Sequence, residues 1–370
     1  MRRLDTPIAT APAPAHDTNE TAMSITPQEA LTRCIEHREI FHDEMLHLMR
    51  QIMQAQISPV MAAAILTGLR VKKETIGEIS AAAQVMREFA NKVPLGSIKD
   101  RENFVDIVGT GGDGSHTFNI STASMFVAAA AGARIAKHGN RGVSSKSGSA
   151  DVLEALGVNI HLGPIEAAEC LSRIGICFLF AQSYHGSMKH AAGPRKELGI
   201  RTVFNLLGPL TNPAGADRQL LGLFDRAKTE LIAEVMRSLG VKRGLVVGSF
   251  DGLDEISVSA PTKITELAGG RIATSEIAPA ELGLGTYRLA ELAGGDAAVN
   301  AEIIRGVLIG ERGAARDVVL ANAGACFYVA GRADSLRAGV GQAAAVIDSG
   351  RAAAKLEQLI ACTREASHVS

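Results

Sequence analysis

A short apolar run that stops on a cluster of glycines and resumes as a small-residue segment constrains this chain more than any other feature. Phe104 to Val108 has the length and content of a strand. Gly109-Thr110-Gly111-Gly112-Asp113 ends it, and after Asn119-Ile120-Ser121-Thr122 the run Ala123 to Ala131 predicts a helix. Strand, glycine loop and helix start let backbone N–H groups close around a phosphate. Glycine is needed there because a side chain would block the approach and because such turns often require positive φ. Ser121 is expected to cap the helix. The loop by itself suits a nucleotide, a dinucleotide or inorganic phosphate equally.

The segments on either side differ in kind. Thr26-Pro27-Gln28-Glu29 is a capping box with proline at the first helical position, and a helix to about Met53 is expected from the apolar spacing that follows. Ser58-Pro59 opens a second helix, and the capping box at Thr75-Ile76-Gly77-Glu78 a third that runs towards Phe89. Successive helices without a strand signal indicate a helical domain. From Phe104 short apolar strands alternate with helices, the pattern of a parallel α/β sheet. Further strands are predicted at Ala133–Ala136, Val158–Leu162, Cys177–Ala181, Gln219–Phe224 and Gly244–Phe250. Helices are predicted at Ala150–Leu156, Ile165–Ile174 and Lys228–Leu239. Lys263–Leu267 and Arg271–Ile277 flank Gly269-Gly270 as a hairpin. Helices at Ala298–Leu308, Asp317–Ala330 and Ala343–Gln358 follow. Between Ser183 and Pro213 the pattern turns helical and then loop-rich, read as a return to the helical layer at a hinge. The expected division is 1–24 as a disordered extension, 25–97 with 185–205 as the helical domain, and 98–184 with 206–370 as the α/β domain.

Composition removes several classes of function. At 370 residues a globular chain buries roughly 75% of its unfolded surface, so staples are not needed. Lys plus Arg number 38 against 39 Asp plus Glu, a net charge of −1, without the basic excess of a general nucleic-acid binder. No apolar run approaches the ~20 uncharged residues of a membrane span. Cys34, Cys170, Cys177, Cys326 and Cys362 show no CxxC spacing; buried reduced thiols and a cytoplasmic location are expected. The N-terminal MRRLDTPIATAPAPAHDTNETA has no apolar core, which argues against a signal peptide, and Met23 is an alternative start.

Three more stretches carry chemistry. Lys137-His138-Gly139-Asn140-Arg141-Gly142-Val143-Ser144-Ser145-Lys146-Ser147-Gly148-Ser149 is too broken for strand or helix. It suits an anion, with point charge from lysine and directed donors from serines and amides; a solvated polar loop is the bland reading. Asp251-Gly252-Leu253-Asp254-Glu255 follows a predicted strand, at the end where parallel sheets bind ligands. Mg2+ prefers hard oxygen donors, so Asp254 and Glu255 can serve one or two ions with the Ser121 hydroxyl as a third ligand. An acidic turn is the alternative. Arg195, near Tyr184-His185, can hold a carboxylate bidentately, or make a surface ion pair with Glu197.

GTGGD, NIST, KHGNR, SSKSGSAD, VFNLLGPLTNP and DGLDE, in this order and spacing, closely resemble the anthranilate phosphoribosyltransferase family from about Ser24 to the C-terminus. The resemblance implies a nucleoside-phosphorylase-like phosphoribosyltransferase fold: a small helical domain, a larger α/β domain with a mostly parallel sheet, and substrates in the cleft between. It implies a homodimer through the helical domain. The implied reaction moves the 5-phosphoribosyl group of phosphoribosyl pyrophosphate to the amine of anthranilate. The products are N-(5-phosphoribosyl)anthranilate and pyrophosphate, in tryptophan biosynthesis, with two Mg2+ ions per monomer.

Carried over by motif, the phosphoribosyl pyrophosphate site takes Gly109, Gly112, Asp113, Thr117, Asn119, Ile120, Ser121 and Thr122. It also takes Lys137, His138, Gly139, Asn140, Arg141, Gly142, Val143, Ser144, Ser145 and Ser149. Gly109, Asn140 and Arg195 match anthranilate-binding positions, with His185 and Pro209 lining the acceptor tunnel. Ser121 and Glu255 look like ligands of one ion, Asp254 and Glu255 of a second. His138 is a candidate general base, and no catalytic residue is assigned beyond it. One departure from the pattern is Tyr184-His185-Gly186-Ser187-Met188, where many members have proline after the histidine. A pyrimidine nucleoside phosphorylase, and a non-catalytic nucleic-acid-binding regulator on the same scaffold, are the competing readings. The Arg195 segment and the adjacent acidic pair speak against the first, and the charge balance against the second.

Overall fold

The structure is a computed structural model that describes residues 24–97, 103–142 and 146–366. Residues 1–23, and Val143, Ser144 and Ser145 of the polar loop, lie outside the described residues.

The chain opens with helices α1 (Pro27–Ile35), α2 (His42–Met53), α3 (Pro59–Lys72) and α4 (Ile76–Phe89). Thr26 and Thr75 each close the capping box read from the sequence, and Ser58 accepts from Met61 N–H. The single helix expected to about Met53 is two helices. His37 takes φ 55°, and the N–H of buried Ile40 turns away to Glu78 Oε1 at 2.9 Å. Glu78 is itself buried and paired with Lys72 Nζ at 2.8 Å, so the break is fixed by a buried polar group that needs a donor.

The α/β part runs β1 (Phe104–Gly109), α5 (Ile120–Ala130), β2 (Arg134–Gly139), α6 (Ser149–Leu156), α7 (Pro164–Ile174) and β3 (Ile176–Phe180). Three short helices follow, α8 (Ala181–Tyr184), α9 (Lys189–Leu198) and α10 (Phe204–Leu207), and α9 packs on α3 and α2. The chain then returns to the sheet with β4 (Arg218–Gly222), α11 (Thr229–Ser238), β5 (Arg243–Ser249), β6 (Thr262–Ala268) and β7 (Arg271–Ile277). It ends with α12 (Ala297–Leu308), α13 (Ala314–Val329), α14 (Leu336–Asp348) and α15 (Arg351–Ala366). The last two were expected as one helix; Gly350, at φ 72° just after the Ser349 cap, separates them.

Among the described residues the strands order as β3-β2-β1-β4-β5-β6-β7. The pairs from β3 to β5 are parallel, while β6 and β7 are antiparallel additions. Exposed β7 carries Arg271 and Glu276 on its surface, charges that discourage edge pairing. Alternate residues face opposite layers. Leu220, Leu245 and Val247 join the core beneath α5 and α13, whereas Leu221 and Val246 join the core shared with α11 and the N-terminal helices. Val158–Leu162 is not a strand. Its alternating Val158, Ile160 and Leu162 are buried as expected. Its backbone, however, bonds side chains: Asn159 N–H donates to Thr363 Oγ1 and Leu162 C=O accepts from Tyr184 Oη.

Strand order reverses between β1 and β4, since β2 and β3 lie to one side and β5 to the other. Open α/β sheets bind ligands in the crevice at such a point, beyond the carboxyl ends of the strands.

Candidate active site

At that crevice two glycines face each other in register, Gly109 ending β1 and Gly222 ending β4. Neither is there for a left-handed turn; both make room. A Cβ on Gly109 would lie 2.4 Å from Asp254 Oδ2, and one on Gly222 only 1.6 Å from the Asp254 carbonyl oxygen. The loop after β5 therefore folds down across the ends of β1 and β4 and delivers Asp254, nine-tenths buried, to the glycine loop. There Asp254 Oδ2 accepts from Gly111 N–H at 2.8 Å. Gly111, Gly112 and Gly114 do take positive φ (63°, 71°, 73°), the freedom the sequence suggested.

Lys137, near the end of β2, is buried and points across β1, donating to Ile107 C=O at 2.5 Å and to Ser121 Oγ at 3.1 Å. Burial pulls its ammonium down, and the carboxylates of Asp106, Glu255 and Asp254 act to hold it charged. The Ser121 backbone N–H acts to lower the Glu255 carboxyl, against the burial that raises it. Ser121 sits inside the first turn of α5 rather than capping it. The flanking residue is Asn119, so the capping role expected of Ser121 does not hold. Its hydroxyl is left to face Lys137.

Burial pushes the Asp254 carboxyl up to about 6, with the Asp113 carboxylate adding to the effect and the Gly111 N–H opposing it. Burial, then Asp254, pushes Glu255 up to about 8. Crowded carboxyls short of positive charge suit a cation. No cluster of three or more His, Cys, Asp or Glu among the described residues could hold a metal alone. Asp254 and Glu255 could supply the one or two carboxylates that Mg2+ takes, its shell being completed by water and substrate phosphates.

Asp113 Oδ1 accepts from Ser115 N–H at 3.2 Å, and Thr117 pairs with Ala293 in an isolated bridge. Ile120 and Thr122 are buried at the helix start. Asn119 Nδ2 donates to Ser147 C=O at 3.2 Å and its Oδ1 accepts from Asn300 Nδ2 at 3.0 Å, which ties the glycine loop to the polar loop. In the polar loop, Asp151 accepts from Gly142 N–H and Gly148 N–H, both at 2.9 Å. Ser149 Oγ donates to Asn140 C=O at 3.3 Å, over Gly139, where a Cβ would meet that hydroxyl at 2.2 Å. Arg141 differs from its expected place in the anion cradle. Its guanidinium is held by Asp151 and Glu154 over the Phe180 ring, leaving only its backbone to the loop.

A second group of residues sits beside the first. His138 follows Lys137 and gives Nδ1–H to Gly208 C=O at 3.2 Å, while its Nε2 is buried without a partner. The His185 ring lies 5.1 Å away, its Nε2 likewise unpartnered. Burial drives His138 down to about 3, the neighbouring His185 adding to this, and drives His185 down to about 4. Both rings are neutral near pH 7, each with Nε2 unpartnered. Pro209, buried, follows Gly208. Arg195 on α9 lies over Phe204 at 5.2 Å, at the head of the segment that leads to Gly208. Besides Gly222, Arg201 and Asn300 had no signal in the sequence. Arg201 stacks on Phe224 at 3.6 Å and donates to Gly112 C=O. Asn300 lies on α12, far along the chain from any motif.

The fold and this crevice define a class of glycosyltransferase. Residues 28–90 match the family model for the glycosyl transferase family, helical bundle domain, and residues 101–353 that for its a/b domain. An anthranilate phosphoribosyltransferase of Cupriavidus pinatubonensis is 59% identical over 370 residues, covering 99% of this chain and 100% of that protein. The crystal structure of anthranilate phosphoribosyltransferase from Thermus thermophilus aligns with TM-score 0.85 at 42% identity, over 90% of this chain and 99% of that one. The Saccharomyces cerevisiae enzyme, in complex with PRPP and Mg, aligns with TM-score 0.81 at 26% identity, over 92% and 98%. The chain belongs to the anthranilate phosphoribosyltransferase family.

Proposed function

We propose that the chain transfers the 5-phosphoribosyl group of phosphoribosyl pyrophosphate to the amine of anthranilate, and that the two halves of the crevice divide the work. The observation that carries this is the convergence of Asp254, Glu255, Lys137 and Ser121 across the Gly109–Gly222 pair, with a neutral, under-bonded histidine pair alongside.

Breaking the C1–O bond builds positive character on the ribose and negative charge on pyrophosphate. Lys137 and the amides of Gly112 and Asp113 are the groups we assign to that developing charge, which is where electrostatic catalysis acts. Ser121, Asp254 and Glu255 would hold Mg2+: Ser121 and Glu255 for one ion, Asp254 and Glu255 for a second. Held there, Mg2+ would supply positive charge to the pyrophosphate leaving group. Thr117, Asn119 and Thr122 lie at the start of α5. Gly139 to Gly142 and Lys146 to Ser149 lie beside them, as a cover for the phosphoribosyl part.

On the acceptor side, Arg195 takes the anthranilate carboxylate, and Asn140, His185 and Pro209 shape the pocket. Anthranilate attacks as a neutral amine, so its placement in line matters more than a strong base. The arylammonium formed by the attack is a strong acid. Even the His138 Nε2, neutral and weakly basic, is therefore an adequate proton acceptor.

The exposed apolar residues Ile35, Phe41, Val60 and Val71 on the N-terminal helices support a homodimer through that surface. No helix of the described residues is long and apolar enough to cross a membrane, and the five free cysteines are all buried; both suit a cytoplasmic enzyme. The direct test follows loss of anthranilate fluorescence with anthranilate, phosphoribosyl pyrophosphate and Mg2+. Turnover that requires all three is expected. Thymidine phosphorolysis with no turnover on anthranilate would replace this reading by that of a nucleoside phosphorylase.

A further inference from the structure

Resting on the reading that Asp254 and Glu255 hold the metal, we infer that Asn322, in the middle of α13, is the positioning residue for that carboxylate pair. Asn322 is completely buried and belongs to none of the motifs. Its Oδ1 accepts from Ile256 N–H at 3.0 Å, and its Nδ2 donates to Ile256 C=O at 2.9 Å. The second Nδ2 hydrogen goes to Val318 C=O at 2.9 Å, one turn back on α13. One side-chain amide thus gives both backbone groups of Ile256 the partners that a neighbouring strand would give, at a place where no strand runs among the described residues.

Ile256 is the residue after Glu255, so the clamp fixes the carboxyl end of the acidic pair. The other end is fixed as firmly. Leu253 is buried in the core, and its N–H donates to Asp251 at 3.2 Å. Asp251 also accepts from the hydroxyls of Ser249, Ser257 and Ser259. Between these anchors only Asp254 and Glu255 reach toward the glycine loop and Ser121. The backbone has no room to slide toward β4, because the Asp254 carbonyl oxygen already occupies the place of a Gly222 side chain. Two adjacent carboxyls that share a cation must be held within about 0.5 Å of their working positions. Among the described residues, Asn322 is the side chain whose amide sets the direction of the backbone that carries them.

The test measures Mn2+ binding in the presence of pyrophosphate by electron paramagnetic resonance, and separately the Mg2+ dependence of turnover. Asn322→Ala is expected to weaken Mn2+ binding and raise the Mg2+ half-saturation by roughly 10–100-fold, the usual effect of removing a residue that orients metal ligands. KM for anthranilate should stay within about twofold, with kcat partly restored by excess Mg2+. If Asn322→Ala does not fold, Asn322→Ser replaces it, since a serine hydroxyl bonds back to the Val318 carbonyl and cuts only the Ile256 clamp. Unchanged Mn2+ affinity alongside lost stability would reduce Asn322 to a core hydrogen bond and overturn the inference. The Asp254→Asn, Glu255→Gln double variant separates the two layers. If its Mn2+ affinity is unchanged, the metal reading fails and takes the inference with it. If its affinity falls while that of the Asn322 variants does not, the inference alone fails.

Discussion

Arg195 carries its charge on a half-buried guanidinium that burial holds below the usual arginine range, over the Phe204 ring. A cation that has lost part of its hydration gains most from a carboxylate partner, with a charge-assisted hydrogen bond contributing ~1.5–3 kcal/mol. Arg195→Ala should therefore raise KM for anthranilate by roughly 10–100-fold and leave KM for phosphoribosyl pyrophosphate nearly unchanged. An unchanged KM for anthranilate would remove Arg195 from the acceptor pocket. A second prediction concerns the acidic pair. Asp254 and Glu255 stand at about 6 and about 8, above their ordinary 3.8 and 4.5. Across that window the folded chain keeps protons the unfolded chain has released. The metal-free protein accordingly loses stability as pH rises from about 4 to about 8. Thermal melts of wild type should show this slope, and the Asp254→Asn, Glu255→Gln variant should flatten it. Identical slopes in the two proteins would contradict the burial of the pair. Metal affinity should move the other way, weakening as pH falls through the same window, because the ligands must be deprotonated.

At the level of elements, what the sequence made legible was what local rules decide. Capping boxes at Thr26 and Thr75, the strand–glycine–helix unit at β1 and the Gly269-Gly270 hairpin all have short-range causes, and they are where they were expected. The misreadings have long-range causes. The break between α1 and α2 depends on Glu78, thirty-eight positions after Ile40. Val158–Leu162 alternates like a strand, but Thr363 and Tyr184 supply partners that a ladder would otherwise give. In the site, DGLDE announced its carboxylates, but Gly222, Asn300, Arg201 and Asn322 act only through what the fold brings to them. Gly222 gives the sharpest test of this. Gly222→Ala forces its Cβ onto the Asp254 carbonyl, and overpacking of this kind costs ~1–3 kcal/mol. It should also displace the acidic loop and abolish Mg2+-supported turnover. Gly341→Ala, at an exposed position inside α14 with nothing within 4 Å, should stabilise by about 0.5–1 kcal/mol and leave the rate alone. Equal effects of the two substitutions, read by thermal melts and initial rates, would refute the steric account of the crevice.

As a whole molecule, the chain brings residues from β1, β2, β4, the β5 loop and the segment from α8 to α10 together at the carboxyl ends of the parallel strands. The exposed Ile35, Phe41, Val60 and Val71 mark the surface through which we propose that the chain dimerises. The chain of 38.7 kDa should elute with light-scattering mass near twice that value, and Val60→Asp with Phe41→Asp should shift it toward the monomer; a wild-type monomer would contradict the dimer. The central claim, that the switch point between β1 and β4 is the pyrophosphate-and-metal half of a two-substrate site, is tested most directly by titrating pyrophosphate into the protein in a calorimeter, with and without Mg2+. Wild type should bind pyrophosphate far more tightly with Mg2+ present, and the Asp254→Ala, Glu255→Ala variant should lose that gain. Pyrophosphate binding that is indifferent to Mg2+, or an undiminished gain in the variant, would contradict it.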